Sequence, residues 1–160
     1  MSSGTLVALD VVIDASVGVK WLVPEIHSIE ASLLMSSEIR RHVPTLFYTE
    51  VSQTIWKKVH TRHELSAEEG RETFRRLRLL PLMIHPIEAL YELSFEIALQ
   101  TGRTVYDSVY LALASSQGWK LVTADERLFN ALKSSEFEHS LIWVGDIPSI
   151  VPTTGRWGDG

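Results

Sequence analysis

The chain has 160 residues, 45% of them hydrophobic, and a net charge of −5 at pH 7, which suits one folded domain and not a disordered chain. It contains no cysteine, so disulfides, thiolate metal sites and cysteine nucleophiles are excluded. No apolar run approaches the ~20 residues that cross a bilayer, and residues 1–10 lack the pattern of a secretion signal. We therefore expect a cytoplasmic protein without a membrane anchor.

Strands and helices alternate along the predicted chain. Short β-branched or apolar runs predict strands at 11–13, 42–43, 82–84, 120–123 and 141–144. Apolar periodicity and punctuation predict helices at about 15–23, 26–39, 44–62, 66–78, 87–100, 104–118 and 125–132. Such alternation is typical of an α/β fold in which helices cover both faces of a mainly parallel, five-stranded sheet.

Local punctuation supports several helix boundaries. Ser66 with Glu69 has the spacing of a capping box, and Thr104 with Asp107 repeats that pattern. Gly102 is a plausible end for the helix before Thr104. We assign 11–147 to the folded domain, 1–10 to an N-terminal extension, and 148–160 to a flexible C-terminal tail.

Two acidic residues follow predicted strands directly. Asp14 comes after the first strand and Asp125 after the fourth. In an open parallel sheet, ligands bind at the carboxyl ends of the strands. Either residue could instead cap the next helix, because an Asp oxygen accepts a backbone N–H that the first turn leaves free. Taken singly, each residue leaves both interpretations open.

Two further acids lie on predicted helices. Asp107 stands in the first turn of a helix that is apolar on most sides, so its carboxylate should point into the protein or a cleft. Glu50 lies inside a helix at the edge of an apolar stripe, where an unpaired carboxylate costs several kcal/mol. A structural ion pair with Lys or Arg would compensate that cost, and a metal ion is the alternative.

The four acids together make a candidate site with oxygen ligands only. Without Cys or paired His, such ligands favour Mg²⁺ or Mn²⁺ over zinc. One or two such ions would orient a water for attack on a phosphodiester and stabilise the leaving oxygen.

Four segments of the sequence resemble the acidic motifs of one known family, in the family's order. They are Val12–Leu22, Pro44–Val51, Val105–Ala114 and Leu121–Leu128. The family is that of PIN-domain proteins, in particular the VapC-type toxins of bacterial toxin–antitoxin pairs. The likeness extends over about 11–144.

This resemblance implies a three-layer α/β/α sandwich, a divalent-metal-dependent endoribonuclease acting on RNA, a homodimer, and inhibition by a VapB-type antitoxin. Carried over by motif, the metal-binding acids are Asp14, Glu50, Asp107 and Asp125. Ser16 and Thr123 match hydroxyl positions that line the same pocket. Glu126 competes with Asp125 for the fourth position, and we favour Asp125 because it follows Thr123 and Ala124.

Basic residues cluster after the second motif. Candidate contacts with the RNA backbone are Lys57, Lys58, Arg62, Arg75 and Arg76. Such a rim would reconcile the net charge of −5 with a polyanionic substrate. The alternative is that these cations form solvated helix faces and favourable helix ends.

Two other functions are compatible with the same fold. A housekeeping RNA-processing or DNA nuclease of the same type would use the same acids, although the short chain adds no further domain for such a role. A degenerate, non-catalytic binding module would not need the full acidic quartet, which this sequence retains.

Overall fold

The computed structural model describes residues 8–151, and its centre is a five-stranded sheet. The strands are β1 (Leu9–Ile13), β2 (Ile39–Pro44), β3 (Met83–His85), β4 (Lys120–Thr123) and β5 (Leu141–Trp143). They stand in the order β3-β2-β1-β4-β5, and each neighbouring pair is parallel. The prediction of a parallel five-stranded sheet is confirmed, and the sheet is parallel throughout.

Helices pack on this sheet in two groups. They are α1 (Ala15–Gly18), α2 (Ser28–Ser32), α3 (Leu46–His60), α4 (Ala67–Arg78), α5 (Tyr91–Thr101), α6 (Val105–Gln117) and α7 (Glu126–Ala131), with short 3₁₀ helices at 19–21, 33–35, 88–90, 138–140 and 144–149. The helix α3 contacts α1, α4 and β2, whereas α6 contacts α5 and the central strands. Right-handed crossovers place the helices that follow β1 and β2 on one face and those that follow β3 and β4 on the other. The three-layer α/β/α arrangement is confirmed.

The N-cap residues of α4 and α6 form the capping hydrogen bonds that the sequence predicts. The hydroxyls of Ser66 and Thr104 accept the backbone N–H groups of Glu69 and Asp107, respectively. The Glu69 side chain completes the first box by accepting the Ser66 N–H at 3.0 Å. Gly102 ends α5 in the left-handed region, with φ of 71°.

The segment between β1 and β2 corrects the prediction of a helix over 26–39. The helix α2 is five residues long, a 3₁₀ turn follows to Met35, and Ile39 already belongs to β2. The strand β2 extends over six residues although it contains Arg40 and Arg41. These charges fit a strand because Arg40 forms an ion pair with Asp10 at 2.6 Å and Arg41 donates to the Leu34 carbonyl at 2.7 Å.

The folded part extends beyond both predicted domain boundaries. The strand β1 begins at Leu9, before position 11. At the other end, the 3₁₀ helix 144–149 crosses position 147, and Val151 is buried. The remainder of the predicted extension and tail, at 1–7 and 152–160, lies outside the described residues. Within 8–151, none of the helices is long and apolar enough to span a bilayer.

Candidate active site

A cleft of about 460 Å³ opens at the carboxyl edge of the sheet, and we call it the acidic cleft. Its walls include all four acids of the predicted quartet, namely Asp14, Glu50, Asp107 and Asp125. They reach it from different elements: Asp14 follows β1, Asp125 follows β4, and α3 and α6 carry the other two. The fold thus brings together four residues that are far apart in sequence, and their role as metal ligands stays a prediction.

Asp14 is the most enclosed of the four acids, with 7% of its surface exposed. Its Oδ2 atom accepts hydrogen bonds from Ser16 Oγ at 2.6 Å and from Thr123 Oγ1 at 2.9 Å. The same two hydroxyls accept the backbone N–H groups of Ala124 and Asp125 at 3.0 and 3.1 Å. Ser16 and Thr123 therefore fix Asp14 against the turn that leads to Asp125.

Burial raises the pKa of Asp14 from the usual 3.8 of an exposed aspartate to about 7. The hydrogen bonds from Ser16 and Thr123 lower this pKa, and the charges of Glu50 and Asp107 raise it further. Although Asp14 occupies the N-cap position of α1, its side chain makes no capping hydrogen bond. The capping interpretation is therefore wrong for Asp14, and its carboxylate is available to the cleft.

Asp125 combines both functions considered for it. Its Oδ1 atom accepts the backbone N–H groups of Arg127 and Leu128 at 2.9 and 3.1 Å, which caps α7. Those bonds use one carboxylate oxygen, and the residue still lines the acidic cleft. Glu126 lines a neighbouring cleft instead, which supports Asp125 as the fourth acid.

Glu50 has no cation to compensate its burial. Its Oε1 atom is buried and has no hydrogen-bond partner among the described residues. The ion pairs formed within 8–151 leave Glu50 out, so the structural ion pair considered from sequence is not formed. Burial raises the pKa of Glu50, the nearby Tyr110 hydroxyl lowers it, and the charge of Asp107 raises it again.

Asp107 has a cationic neighbour that the sequence interpretation missed. Arg103 Nη2 lies 3.3 Å from Asp107 Oδ2, one helical turn earlier. Burial raises the pKa of Asp107, Arg103 opposes that shift, and the charge of Asp125 adds to it. The four-residue spacing of an Arg and an Asp at the start of a helix is a signal that could have identified this pair.

The arrangement fits a divalent cation with oxygen ligands. As they stand, no three His, Asp or Glu side chains of residues 8–151 form a group that could hold a metal ion. Carboxylates without a cation repel one another, and burial raises the pKa of Asp14, Glu50 and Asp107 together. The unpartnered Glu50 Oε1 atom adds a ligand atom that lacks any other role. These hard oxygen donors suit Mg²⁺ or Mn²⁺, whose charge would draw them together.

The predicted RNA contacts divide into two groups. Lys57 lines the acidic cleft, whereas Arg62 and Arg75 are exposed outside it. Arg76 Nη1 donates to the Leu22 carbonyl at 3.0 Å, although the residue remains exposed. For these four residues the RNA contact stays a prediction.

The structure contradicts the prediction of an RNA contact for Lys58. That side chain is buried, and its ammonium lies 3.0 Å from Glu25 and 2.9 Å from Glu64. A buried cation that two carboxylates already neutralise is not available to an RNA phosphate. Lys58 instead joins α3 to the segment before α2.

Comparisons with known proteins agree with this fold. The family model described as PIN domain matches residues 11–133. Ribonuclease VapC3 of Pyrobaculum aerophilum is 34% identical over 125 residues, which are 75% of this chain and 92% of that protein.

Two solved structures share the architecture. PAE2754 from Pyrobaculum aerophilum superposes with a TM-score of 0.66 at 19% identity, with 89% of each chain covered. A toxin–antitoxin complex from Klebsiella pneumoniae superposes with a TM-score of 0.58 at 14% identity, over 82% of this chain and 95% of that one. At such identities the likeness concerns the fold alone.

Proposed function

Because this chain belongs to the PIN-domain family of VapC-type ribonucleases, we propose that it is a divalent-metal-dependent endoribonuclease and the toxin of a toxin–antitoxin pair. The observation that carries this proposal is the acidic cleft, which is lined by four acidic residues from separate elements. Asp14 and Glu50 have no cationic partner among residues 8–151, and burial raises their pKa values. Perturbed acids of this kind in a cleft are typical of functional sites.

Asp14, Glu50, Asp107 and Asp125 would hold Mg²⁺ or Mn²⁺. Bound there, such an ion would supply Lewis acidity, which lowers the pKa of a water and polarises a phosphodiester oxygen. Ser16 and Thr123 orient the Asp14 carboxylate by donating to its Oδ2 atom. Arg103 restrains Asp107 from the side of α6. The chain's own contribution is therefore to fix the directions of the four carboxylates.

Two other residues of the acidic cleft suit an RNA strand. Lys57 supplies a cation on α3, where it can neutralise a phosphate next to the acids. Tyr106 is 62% exposed and lines the same cleft, beside Asp107. An exposed aromatic ring next to a phosphate site is a surface on which an unstacked base can pack. These features favour single-stranded RNA as the substrate.

Cleavage of RNA by the purified protein tests this proposal. We expect discrete fragments from total cellular RNA with Mg²⁺ or Mn²⁺ and none in EDTA. Asp14→Asn and Asp107→Asn should abolish cleavage because an amide cannot supply charge to the metal. Asp146→Asn is the matched control, since Asp146 is exposed outside the acidic cleft.

Three results of that experiment would contradict the proposal or move it. Full activity of Asp14→Asn would remove Asp14 from the site. Metal-dependent cleavage of single-stranded DNA but not RNA would favour a DNA nuclease. An antitoxin-free protein that cleaves neither would be a non-catalytic binding module.

The proposed antitoxin is a separately encoded protein of the VapB type. The toxin–antitoxin complex from Klebsiella pneumoniae, which shares this fold, supports that partner class. We expect production of this chain alone to arrest cell growth and co-production of the small protein encoded beside it to restore growth. Growth arrest by the Asp107→Asn variant would show instead that toxicity does not depend on cleavage.

The proposed homodimer has a suitable surface on α5. Tyr91, Phe95 and Leu99 recur every four residues and are 56%, 55% and 65% exposed. An apolar stripe of this kind is typical of an interface. Leu99→Arg should shift the mass measured by light scattering from dimer to monomer. Leu79→Arg, at a leucine after α4 that is even more exposed, should leave the mass unchanged.

A further inference from the structure

A second cleft, of about 340 Å³, adjoins the acidic cleft, and we call it the α7 cleft. Its walls are formed by Glu126, Phe129, Asn130, Lys133 and Trp143. The first four have the spacing of one helix face, and the buried Leu128 and Leu132 anchor the opposite face. Asp125, which caps α7, lines the acidic cleft, and the next residue, Glu126, lines the α7 cleft.

The sheet register connects the two clefts in a second way. Trp143 at the end of β5 pairs with Thr123 at the end of β4. Neighbouring strands lie about 4.8 Å apart, and Thr123 donates to the Asp14 carboxylate. Trp143 therefore stands one strand away from a residue that orients the acids. An RNA strand that crosses the acidic cleft towards β5 would enter the α7 cleft next.

Aromatic rings and a cation face this cleft. The rings of Phe129 and Trp143 have centroids 5.5 Å apart, and His27 packs edge-on against Trp143 at 5.8 Å. The Lys133 ammonium lies 5.3 Å from the centre of the Phe129 ring. Aromatic faces beside a mobile cation are how proteins hold single-stranded nucleic acid. The core does not need these side chains on the outer face of α7, since Leu128 and Leu132 supply its contacts.

We propose that the α7 cleft is a nucleobase subsite, which holds one unstacked base of a single-stranded RNA whose phosphodiester lies at the acids. This inference rests on the proposed function and adds a specificity element to it. The base packs on Phe129 in the place that the Lys133 ammonium now occupies, and Lys133 moves out to a phosphate. The Glu126 carboxylate and the Asn130 amide meet the edge of the base. Because a carboxylate accepts from amino groups, the subsite favours bases that carry an exocyclic amino group over uracil.

The position of the bound base follows from the helix geometry. The Phe129 N–H donates to the Asp125 carbonyl at 3.0 Å, which places Phe129 one helical turn beyond the fourth acid. A turn rises about 5.4 Å, and bases in one strand are about 3.4 Å apart when stacked. We therefore expect the base to lie within about three nucleotides of the cleaved bond.

The test asks whether removal of one base from the RNA and removal of the Phe129 ring affect RNA binding through the same contact. A short single-stranded RNA that the protein binds in EDTA is prepared with an abasic residue at each position in turn, and its cleavage site is mapped where Mg²⁺ gives cleavage. Its binding is measured in EDTA and its cleavage in Mg²⁺, with wild type and Phe129→Leu. At one position near the cleaved bond, loss of the base should weaken binding to wild type about tenfold, as base–aromatic stacking predicts. The Phe129→Leu variant should bind the abasic RNA and the intact RNA with equal affinity.

A charge variant provides an independent measurement with a matched control. Lys133→Ala should weaken binding of the intact RNA severalfold and lower the salt dependence by about one phosphate contact. Lys120→Ala removes the same charge at the amino end of β4, away from both clefts, and should change neither. Melting curves of all variants confirm that they are folded.

The outcomes separate the subsite from the catalytic proposal. Suppose that wild type cleaves RNA with metal, but that an abasic residue weakens RNA binding equally in wild type and Phe129→Leu. That result would overturn the subsite alone. Equal binding by Lys133→Ala and Lys120→Ala would overturn the role of the cation. If loss of one base weakens binding to wild type but not to Phe129→Leu, and no cleavage occurs, the subsite stands and the nuclease proposal is overturned.

Discussion

Asp14 shows how a carboxylate is kept in the interior without a cation. Two hydroxyl groups donate to one of its oxygens, and burial still raises its pKa to about 7. Each hydrogen bond to a charged group contributes on the order of 1.5–3 kcal/mol, whereas an uncompensated buried charge costs more. The remaining electrostatic cost is what a bound divalent cation would remove. If Asp14 is a metal ligand, as we propose, this position exchanges stability of the metal-free protein for metal affinity.

Glu50 should show the electrostatic cost of burial more clearly than Asp14, because its Oε1 atom has no hydrogen-bond partner among residues 8–151. We expect Glu50→Gln to stabilise the metal-free protein by about 1 kcal/mol, since the amide removes a buried charge and its repulsion with Asp107. The same change should weaken Mn²⁺ binding at least tenfold. Urea unfolding in EDTA and calorimetric titration with Mn²⁺ measure the two effects.

The control for Glu50→Gln is Glu96→Gln, on the exposed surface of α5, which should alter neither quantity. Lower stability of Glu50→Gln with unchanged metal affinity would mean that Glu50 has a structural role only.

At the residue scale, local motifs indicate which acids share a cleft, while their role as metal ligands stays a prediction. Asp14 and Asp125 follow strands, Asp107 begins a helix and Glu50 lies inside one, and the structure brings all four to one cleft. The bond from Thr123 to Asp14 joins residues 109 positions apart, so periodicity could not indicate its geometry. Lys58 was assigned wrongly for the same reason: Glu25, one of its two partners, comes from a distant segment.

At the scale of elements, the distance between α1 and α3 governs the acidic cleft, because these helices carry or adjoin Asp14 and Glu50. They approach closely at Gly18, where an added Cβ would lie 2.4 Å from Phe47 Cζ. A comparable contact joins α4 to α3, where a Cβ on Gly70 would lie 2.6 Å from Val59 Cγ2. The two glycines thus permit similar helix contacts, and one of them is beside the acids.

Gly18→Ala and Gly70→Ala therefore form a matched pair. Overpacking should destabilise both variants by about 1–3 kcal/mol in thermal or urea unfolding. At a temperature where both are folded, we expect only Gly18→Ala to lose RNA cleavage, because it displaces α1 from α3 next to Asp14. Equal losses of cleavage in both variants would attribute the defect to stability in general.

The capping residues allow a second comparison between elements. Ser66→Ala and Thr104→Ala each remove a hydroxyl that accepts a backbone N–H at the start of a helix, at 3.0 and 3.1 Å. Each should cost about 1 kcal/mol of stability. Thr104→Ala should also lower cleavage severalfold, because its hydroxyl fixes the N–H of Asp107. Kinetics with the intact RNA measure this, and an equal loss in Ser66→Ala would contradict it.

Element boundaries were predictable where capping and glycine signals are present and failed where polar residues interrupt a buried strand. The helix α4 has the bounds that its capping box indicates. The strand β2 was assigned two residues instead of six because Arg40 and Arg41 conceal its apolar pattern. Their partners come from β1 and from the segment before β2, which only tertiary structure reveals.

At the scale of the whole molecule, the net charge of −5 hides an uneven distribution. The acidic cleft lies at the carboxyl edge of the sheet, where Asp14 follows the last residue of β1. Asp10 lies near the other end of that strand, where it is paired with Arg40 and has a pKa of about 2. Asp10 near the start of β1 is thus paired with a cation, whereas Asp14 just after its end is not. Their titrations affect stability in different ranges of pH.

The last prediction concerns how pH and metal together set the stability of the molecule. Asp14 keeps its proton up to about pH 7 when folded and loses it near pH 3.8 when unfolded. Its contribution to stability is therefore complete below about pH 4 and is lost as the pH rises to 7. The lowered pKa of His85 acts in the opposite direction, so the informative quantity is the difference between wild type and Asp14→Asn.

In EDTA, we expect wild type to lose on the order of a few kcal/mol relative to Asp14→Asn between pH 4.5 and 7.5, measured by urea unfolding. Asp10 does not contribute to this difference, because its pKa of about 2 is below that range. Mg²⁺ should restore the stability of wild type at pH 7.5 and have little effect at pH 4.5, since binding requires ionised ligands. Asp146→Asn should follow wild type throughout. A parallel pH dependence of wild type and Asp14→Asn would mean that Asp14 ionises normally, and the acidic cleft would then lack the electrostatic cost on which its metal affinity depends.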